Sequence, residues 1–219
     1  MWLLSACVRA APDPEPPPPA PDRPYAEVVA GVEAHRAELA ATGAGRDEAR
    51  AALLAHAADE VLPAWFGTGW DFYGTASEPG AGDIACGHFV GTVLRDAGFR
   101  VDRLAVGRLP SESIIGLFAT VPERRRFRGR TPDEIVEALA DLPPGLYGVG
   151  LDFHAGLWVV RDRDAAPQFC HSSPAAGVIC EDPADSPVFP SKYTVVGPLL
   201  TDRAVDRWLA AEAWVVPDR

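Results

Sequence analysis

Between Tyr25 and Ala64 the apolar residues of this chain recur at helical spacing, Val28, Val29 and Val32 in one stretch and Leu53, Leu54, Ala57, Val61 and Leu62 in another. The pattern predicts two helices, Tyr25 to Ala41 and Asp47 to about Ala64, forming a helical flank. The next segment, Gly67 to Gly82, is turn-rich and aromatic and reads as a loop. Beyond it Cys86, Phe89, Val90, Val93, Leu94 and Ala97 mark one buried face of a further helix, with Gly98 at its C′ position. Ser111 to Thr120 reads as a short helix. Thr131-Pro132-Asp133-Glu134 joins a capping box to a proline at the first helical position, so a helix runs from there to about Ala140, where Pro143, Pro144 and Gly145 stop it. The period then changes, and Leu146 to Leu151, His154 to Val160, Pro167 to Ser172, Val178 to Glu181 and Tyr193 to Leu200 read as strands. Thr201 caps a terminal helix through about Ala211. Helices first and strands afterwards predict an α+β domain, an antiparallel sheet packed on the Cys86 helix.

Composition sharpens this picture at the N-terminus. The chain has 219 residues, 47% of them hydrophobic, enough for one compact domain over residues 25–219. Residues 1–24 are different in kind. Ala11 to Pro24 holds eight prolines and no apolar period, the composition of an extended tether that cannot bury a core. Fourteen residues at ~3.1 Å each would reach roughly 40 Å. Ahead of it, Leu4-Ser5-Ala6-Cys7 resembles the lipobox of bacterial lipoproteins, in which the cysteine is lipidated. Only six residues precede Cys7, short of a charged n-region and an h-region of about 7 to 15 residues, so either the start lies too late or the match is chance. The lipoprotein reading makes the protein exported and envelope-associated, with membrane contact only through a lipid at Cys7.

Charge narrows the partners. A net charge of −11 and an isoelectric point near 4.8 argue against a nucleic-acid partner, which selects for a basic footprint. The local run Arg124, Arg125, Arg126, Arg128 and Arg130 reads as a solvated loop.

Candidate chemistry centres on Cys86. A thiol in the first turn of a helix meets unpaired backbone N–H groups and the positive end of the macrodipole, both of which favour the thiolate. His154 and His171 lie downstream in strand contexts, and a cysteine with distant histidines is a candidate catalytic set. Closing a hairpin symmetrically about Arg161-Asp162-Arg163-Asp164 puts His154 directly opposite His171, so that His171 fixes the ring of His154 while His154 serves Cys86 as base. Asp152, on the same strand face as His154, competes as orienter. His88 points roughly 200° around the helix from Cys86 and stays outside the site; His35 and His56 need no special role. Cys170 and Cys180 flank a turn and are placed for a disulfide in an oxidising compartment, with two buried reduced thiols fitting the sequence equally.

A helix-opening cysteine followed closely by Phe89-Val90, the strand motif His154-Ala155-Gly156, and His171-Ser172 ending the next strand together resemble the NlpC-type, papain-like cysteine peptidases. The likeness covers about half of the chain, Trp65 to Ser173. Where that family shows Asp-Cys-Ser-Gly-Phe-Val, this chain has Ala85-Cys86-Gly87-His88-Phe89-Val90, and Trp70 stands at the place of a tyrosine. The resemblance implies a papain-like fold and amide hydrolysis through a thioester, commonly in cell-wall stem peptides, with a peptide or peptidoglycan fragment as substrate; the chain is expected to act as a monomer. It assigns catalysis to Cys86, His154 and His171. Trp70 and Asp71 stand on the substrate side, and the Cys86 backbone N–H stabilises the oxyanion. No cofactor or metal is required; a zinc site built from Cys86, His154 and His171 would lack the short-range ligand pairs of structural zinc sites. From a different class comes the alternative of an inactive papain-like module that binds wall fragments or a partner protein.

Overall fold

The computed structural model describes residues 23–217; Cys7 and most of the proline-rich segment lie outside them. Helix α1 (Tyr25–Thr42) is followed by α2 (Arg46–Ala55), which runs through a π-helical stretch, His56–Val61, into α3 (Leu62–Trp65). After the loop come α4 (Cys86–Asp96), α5 (Arg103–Gly107) and α6 (Ser111–Phe118). Strand β1 (Arg125–Arg128) and helix α7 (Pro132–Ala138) precede β2 (Gly145–Gly150), β3 (Ala155–Val160), β4 (Gln168–Ser173), β5 (Gly177–Glu181) and β6 (Tyr193–Pro198), and α8 (Asp202–Leu209) closes the sequence of elements. The strands form one antiparallel sheet in the order β1-β6-β2-β3-β4-β5, a mixed α+β architecture. Among the described residues no helix is long and apolar enough to cross a membrane.

Alternation along the strands sorts side chains into two layers. Leu146, Ala155, Leu157, Val159, Cys170 and Val178 point into a large core shared with α1, α2, α4 and α8, where Phe89, Val90, Val93, Leu94 and Trp208 are buried. Tyr147, Val149, Trp158, Val160 and Phe169 point the other way, into a smaller cluster closed by Ile135 and Leu139 beside α7 and by Phe189. Helix α4 seats on β3 and β4. Its small residues let α5 approach closely: a Cβ on Gly91 would lie 2.5 Å from the Arg103 carbonyl oxygen. Beyond the C-terminus of α4, the Trp208 indole N–H of α8 donates to the Ala97 carbonyl over 2.8 Å.

Several local expectations meet their physical limits. The capping box at Thr131 forms, with Glu134 reaching back to the Thr131 N–H at 2.9 Å. The arginine run does not form a solvated loop. Arg125–Arg128 is a strand paired with β6, because its charges are neutralised locally: Arg125 pairs with Asp141, Arg126 with Glu112 and Arg130 with Glu134, and Arg128 lies over the Tyr193 ring.

A buried polar chain ties the helices together. The Trp65 indole N–H donates to the Tyr25 hydroxyl at 2.7 Å, and that hydroxyl donates to the Asp96 carboxylate at 2.5 Å, with Arg95 on the second side of the carboxylate. Burial and the neighbouring Asp96 charge push the Tyr25 phenol well above its ordinary value. Tyr25→Phe therefore strands both the indole N–H and a buried carboxylate lone pair, at a cost of about 1 to 3 kcal/mol. Urea unfolding of the variant measures that loss, and an unchanged midpoint would show that the chain contributes nothing.

Candidate active site

Cys86 is the first residue of α4, and the chain that delivers it is held on two sides. The Ile84 N–H donates to the Gly69 carbonyl and the Ala85 N–H to the Gly74 carbonyl, each at 2.9 Å, so the aromatic loop 69–75 lies alongside the approach to the helix. On the other side the buried Ser172 hydroxyl donates to the Ile84 carbonyl at 2.7 Å. Two residues before the thiol, the backbone is thus bonded to the residue that follows His171. The N-cap, Ala85, has no side-chain acceptor, which leaves the first-turn N–H groups of α4 uncapped by any side chain. Cys86 is a free, half-buried thiol.

The two histidines come together as a hydrogen-bonded pair, His154 Nε2 to His171 Nδ1 at 3.1 Å. Their strand register differs from the symmetric hairpin, however. His171 stands opposite Gly156, not His154, because the β3–β4 connection extends from Arg161 to Pro167 and displaces the pairing by two residues. An even displacement keeps both imidazoles on the same sheet face, and the His154 ring bridges the remaining diagonal. Gly156 makes room for this packing, since a Cβ there would lie 2.5 Å from the Phe169 ring.

Glu181, which the sequence does not single out, completes the chain: the second nitrogen of His171, Nε2, lies 2.8 Å from its carboxylate. An ionised carboxylate only accepts, so it holds the His171 proton on Nε2 and leaves Nδ1 as an acceptor. His171 Nδ1 then takes a hydrogen bond from His154 Nε2–H, and His154 is left with its lone pair on Nδ1. Burial, and next the positive charge His171 would carry, depress the His154 pKa to about 3, so the ring is a neutral base at physiological pH. Burial also lowers His171, against the opposing pull of Glu181. Beside His154 lies a cleft of about 260 Å³ lined by Leu151, Phe153, Val188 and Pro190, with the Phe153 ring fully exposed at its rim.

The thiol and the imidazoles have different neighbours. His171 stacks on Phe169 with ring centroids 4.6 Å apart, and His154 meets the same ring edge-on at 6.2 Å, so both belong with the smaller layer. Cys86 opens a helix that packs in the larger one. Among the described residues the hydrogen bonds to the two rings come from each other and from Glu181, and the expected hydrogen bond between Cys86 and His154 is not formed. Asp152 does not orient His154 either; its carboxylate accepts from the Lys192 N–H at 2.7 Å. Asp71 is likewise committed to its own turn, accepting from the Tyr73 N–H at 2.8 Å. Among the described residues, the buried Trp70 indole N–H has no partner. His88 packs against Gly107, its Nδ1 also without a partner among the described residues, and burial with the nearby Arg103 and Arg108 charges lowers its pKa. His35 and His56, given no role by the sequence, form a second pair at 2.9 Å, with Glu60 on the far nitrogen of His56.

Cys170 and Cys180 form a disulfide between β4 and β5. Among the described residues no three His, Cys, Asp or Glu side chains are grouped to hold a metal ion. Compared with known proteins, the chain matches no family model, no curated protein and no solved structure.

The neutral pair has a consequence for stability. In the unfolded chain an imidazole takes up a proton below about pH 6.5, whereas folded His154 does so only near 3, so the unfolded state binds more protons between those values. Stability therefore falls as the pH drops from about 6.5, by up to about 1.4 kcal/mol per pH unit for this ring, and the loss levels off below the folded value. Urea unfolding of wild type and His154→Gln at several pH values between 5 and 7 isolates the contribution. The variant is expected to show the shallower dependence, and equal slopes would mean that His154 titrates normally.

Proposed function

We propose that the protein is a cysteine-nucleophile amide hydrolase with a papain-like arrangement, in which Cys86 is the nucleophile, His154 the base and His171 its orienter. The observation that carries this reading is the Glu181–His171–His154 chain, which prepares a neutral imidazole with one nitrogen, Nδ1, left open. His154 stands immediately before β3, at the end of the strand, so catalysis requires the thiol to reach Nδ1 around that end. A thiol and a neutral imidazole need not be paired at rest, because such contacts tighten when substrate is bound.

The step itself is conventional. The Cys86 sulfur attacks the amide carbonyl as its proton passes to His154 Nδ1; that proton then goes to the leaving amine, and a thioester remains. Water, deprotonated by the same nitrogen, hydrolyses the thioester and regenerates the thiol. Uncapped N–H groups of the first turn of α4 receive the developing oxyanion. The substrate class is taken from the resemblance to NlpC-type peptidases: a stem peptide of bacterial cell wall, met near an envelope if Cys7 is lipidated.

One observation favours the other reading. The absence of a Cys86–His154 hydrogen bond, with the two groups in different layers, suits a shell that binds wall fragments without cleaving them. Purified muropeptides incubated with wild type and with Cys86→Ala, and read by mass, separate the two. The enzyme reading expects new amine and carboxylate termini from wild type and at least a thousandfold less from Cys86→Ala. Equal cleavage by both removes Cys86 from the mechanism, and muropeptide binding by both without cleavage supports the module.

A further inference from the structure

The Cys170–Cys180 disulfide sits one residue before each member of the His171–Glu181 hydrogen bond: Cys170 precedes His171, and Cys180 precedes Glu181. Strand β5, which carries Glu181, is the outermost strand of the sheet and pairs only with β4. Its two ends are held differently. At the start, the Val178 N–H donates to the Thr68 carbonyl at 2.8 Å, and the Val178 carbonyl accepts from the Gly67 N–H at 3.0 Å, so a second segment backs the strand there. At the end that bears Glu181, the disulfide to Cys170 is the link added to the β4 ladder, before the chain turns away at Asp182.

We propose that Glu181 is a positioning residue of the site, setting the tautomer of His171 and through it that of His154, and that the Cys170–Cys180 bond makes this engagement dependent on oxidation. The outer end of an edge strand frays when only ladder hydrogen bonds hold it. His171 is almost fully buried and, among the described residues, has no other hydrogen-bond partner at Nε2. When Glu181 departs, nothing fixes the His171 proton on that nitrogen, and His154 Nε2 can become the acceptor in the pair, with its proton on Nδ1. A His154 ring protonated at Nδ1 cannot take a proton there. Reduction by a dithiol transfers two electrons and two protons to the S–S bond, leaving two thiols and the oxidised reductant. This would release the clamp without touching Cys86, His154 or His171.

The proposal deepens the hydrolase reading and rests on it for its catalytic consequence, but its primary measurement needs no turnover. Imidazole nitrogen-15 shifts of the full chain report the tautomer of each ring. In oxidised protein both rings are expected to carry their proton on Nε2. In Cys170→Ala/Cys180→Ala protein, in wild type reduced by a dithiol, and in Glu181→Ala, His171 is expected to populate both tautomers, and any amide hydrolysis to fall about tenfold or more. Circular dichroism identifies any variant that fails to fold, in which case the reduced wild type and the remaining variant decide. Imidazole shifts that do not respond to reduction or to Glu181→Ala overturn the proposal. If the shifts respond but wild type cleaves no muropeptide, the positioning role stands and the hydrolase reading falls.

Discussion

Seating helix α4 on strands β3 and β4 is the constraint on which the rest of the structure depends. Phe89, Val90, Val93 and Leu94 bury completely against Ala155, Leu157, Val159 and Cys170, and burying side chains of this kind is worth about 1.5 to 3 kcal/mol each. That contact fixes the helix axis, but it does not by itself fix where the first turn begins. The start is set by polar bonds: Ser172 on the Ile84 carbonyl, and the carbonyls of Gly69 and Gly74 on the N–H groups of Ile84 and Ala85. An apolar face supplies most of the energy, and a few directional bonds determine where the thiol stands.

The imidazole chain works by a different economy. Two rings and a carboxylate packed among Phe169 and its neighbours would be costly if left unpaired. Each ring nitrogen inside the chain has a partner, and the geometry admits one tautomer per ring while Glu181 is ionised. Burial and mutual repulsion keep His154 uncharged, so its proton affinity is low in the resting protein. A transition state that places negative charge beside the ring would reverse that balance, because electrostatic interactions strengthen where water is excluded. The same second-site logic of His–His–Glu recurs at His35, His56 and Glu60, where a π-helical stretch brings His56 into line. Relays of this kind therefore arise from packing as well as from chemistry.

Much of this was legible in the residues. The loop of glycines before Cys86, the apolar spacing after it and the capping box at Thr131 are local signals, and local signals survive folding. Alternation placed β2 to β6 because each has a face to bury. The register of β3 on β4 was not legible, since a polar segment reveals that a turn exists but not how many residues it consumes; the two-residue displacement follows from a connection longer than Arg161–Asp164. Glu181 was hidden for a related reason, as it meets His171 only through pairing of β4 with β5. Strand β1 was hidden by its charge: four residues containing three arginines look solvated until Asp141, Glu112 and Tyr193 are brought beside them.

The division of side chains between the two sheet faces sets the imidazole pair apart from the layer in which α4 packs. Within a strand, a residue facing one layer is screened from the other by the backbone of its neighbours. His154 precedes β3, in a turn closed by the Leu151 N–H on the His154 carbonyl at 2.9 Å, and its ring is held in the smaller layer by His171 and Phe169. The conformation of the four residues from Leu151 to His154 sets where the His154 backbone enters β3. Asp152, which holds Lys192 and is held by Ser191, anchors that turn to the start of β6. Its carboxylate bonds to backbone and not to the imidazole, although the residue lies two positions from His154.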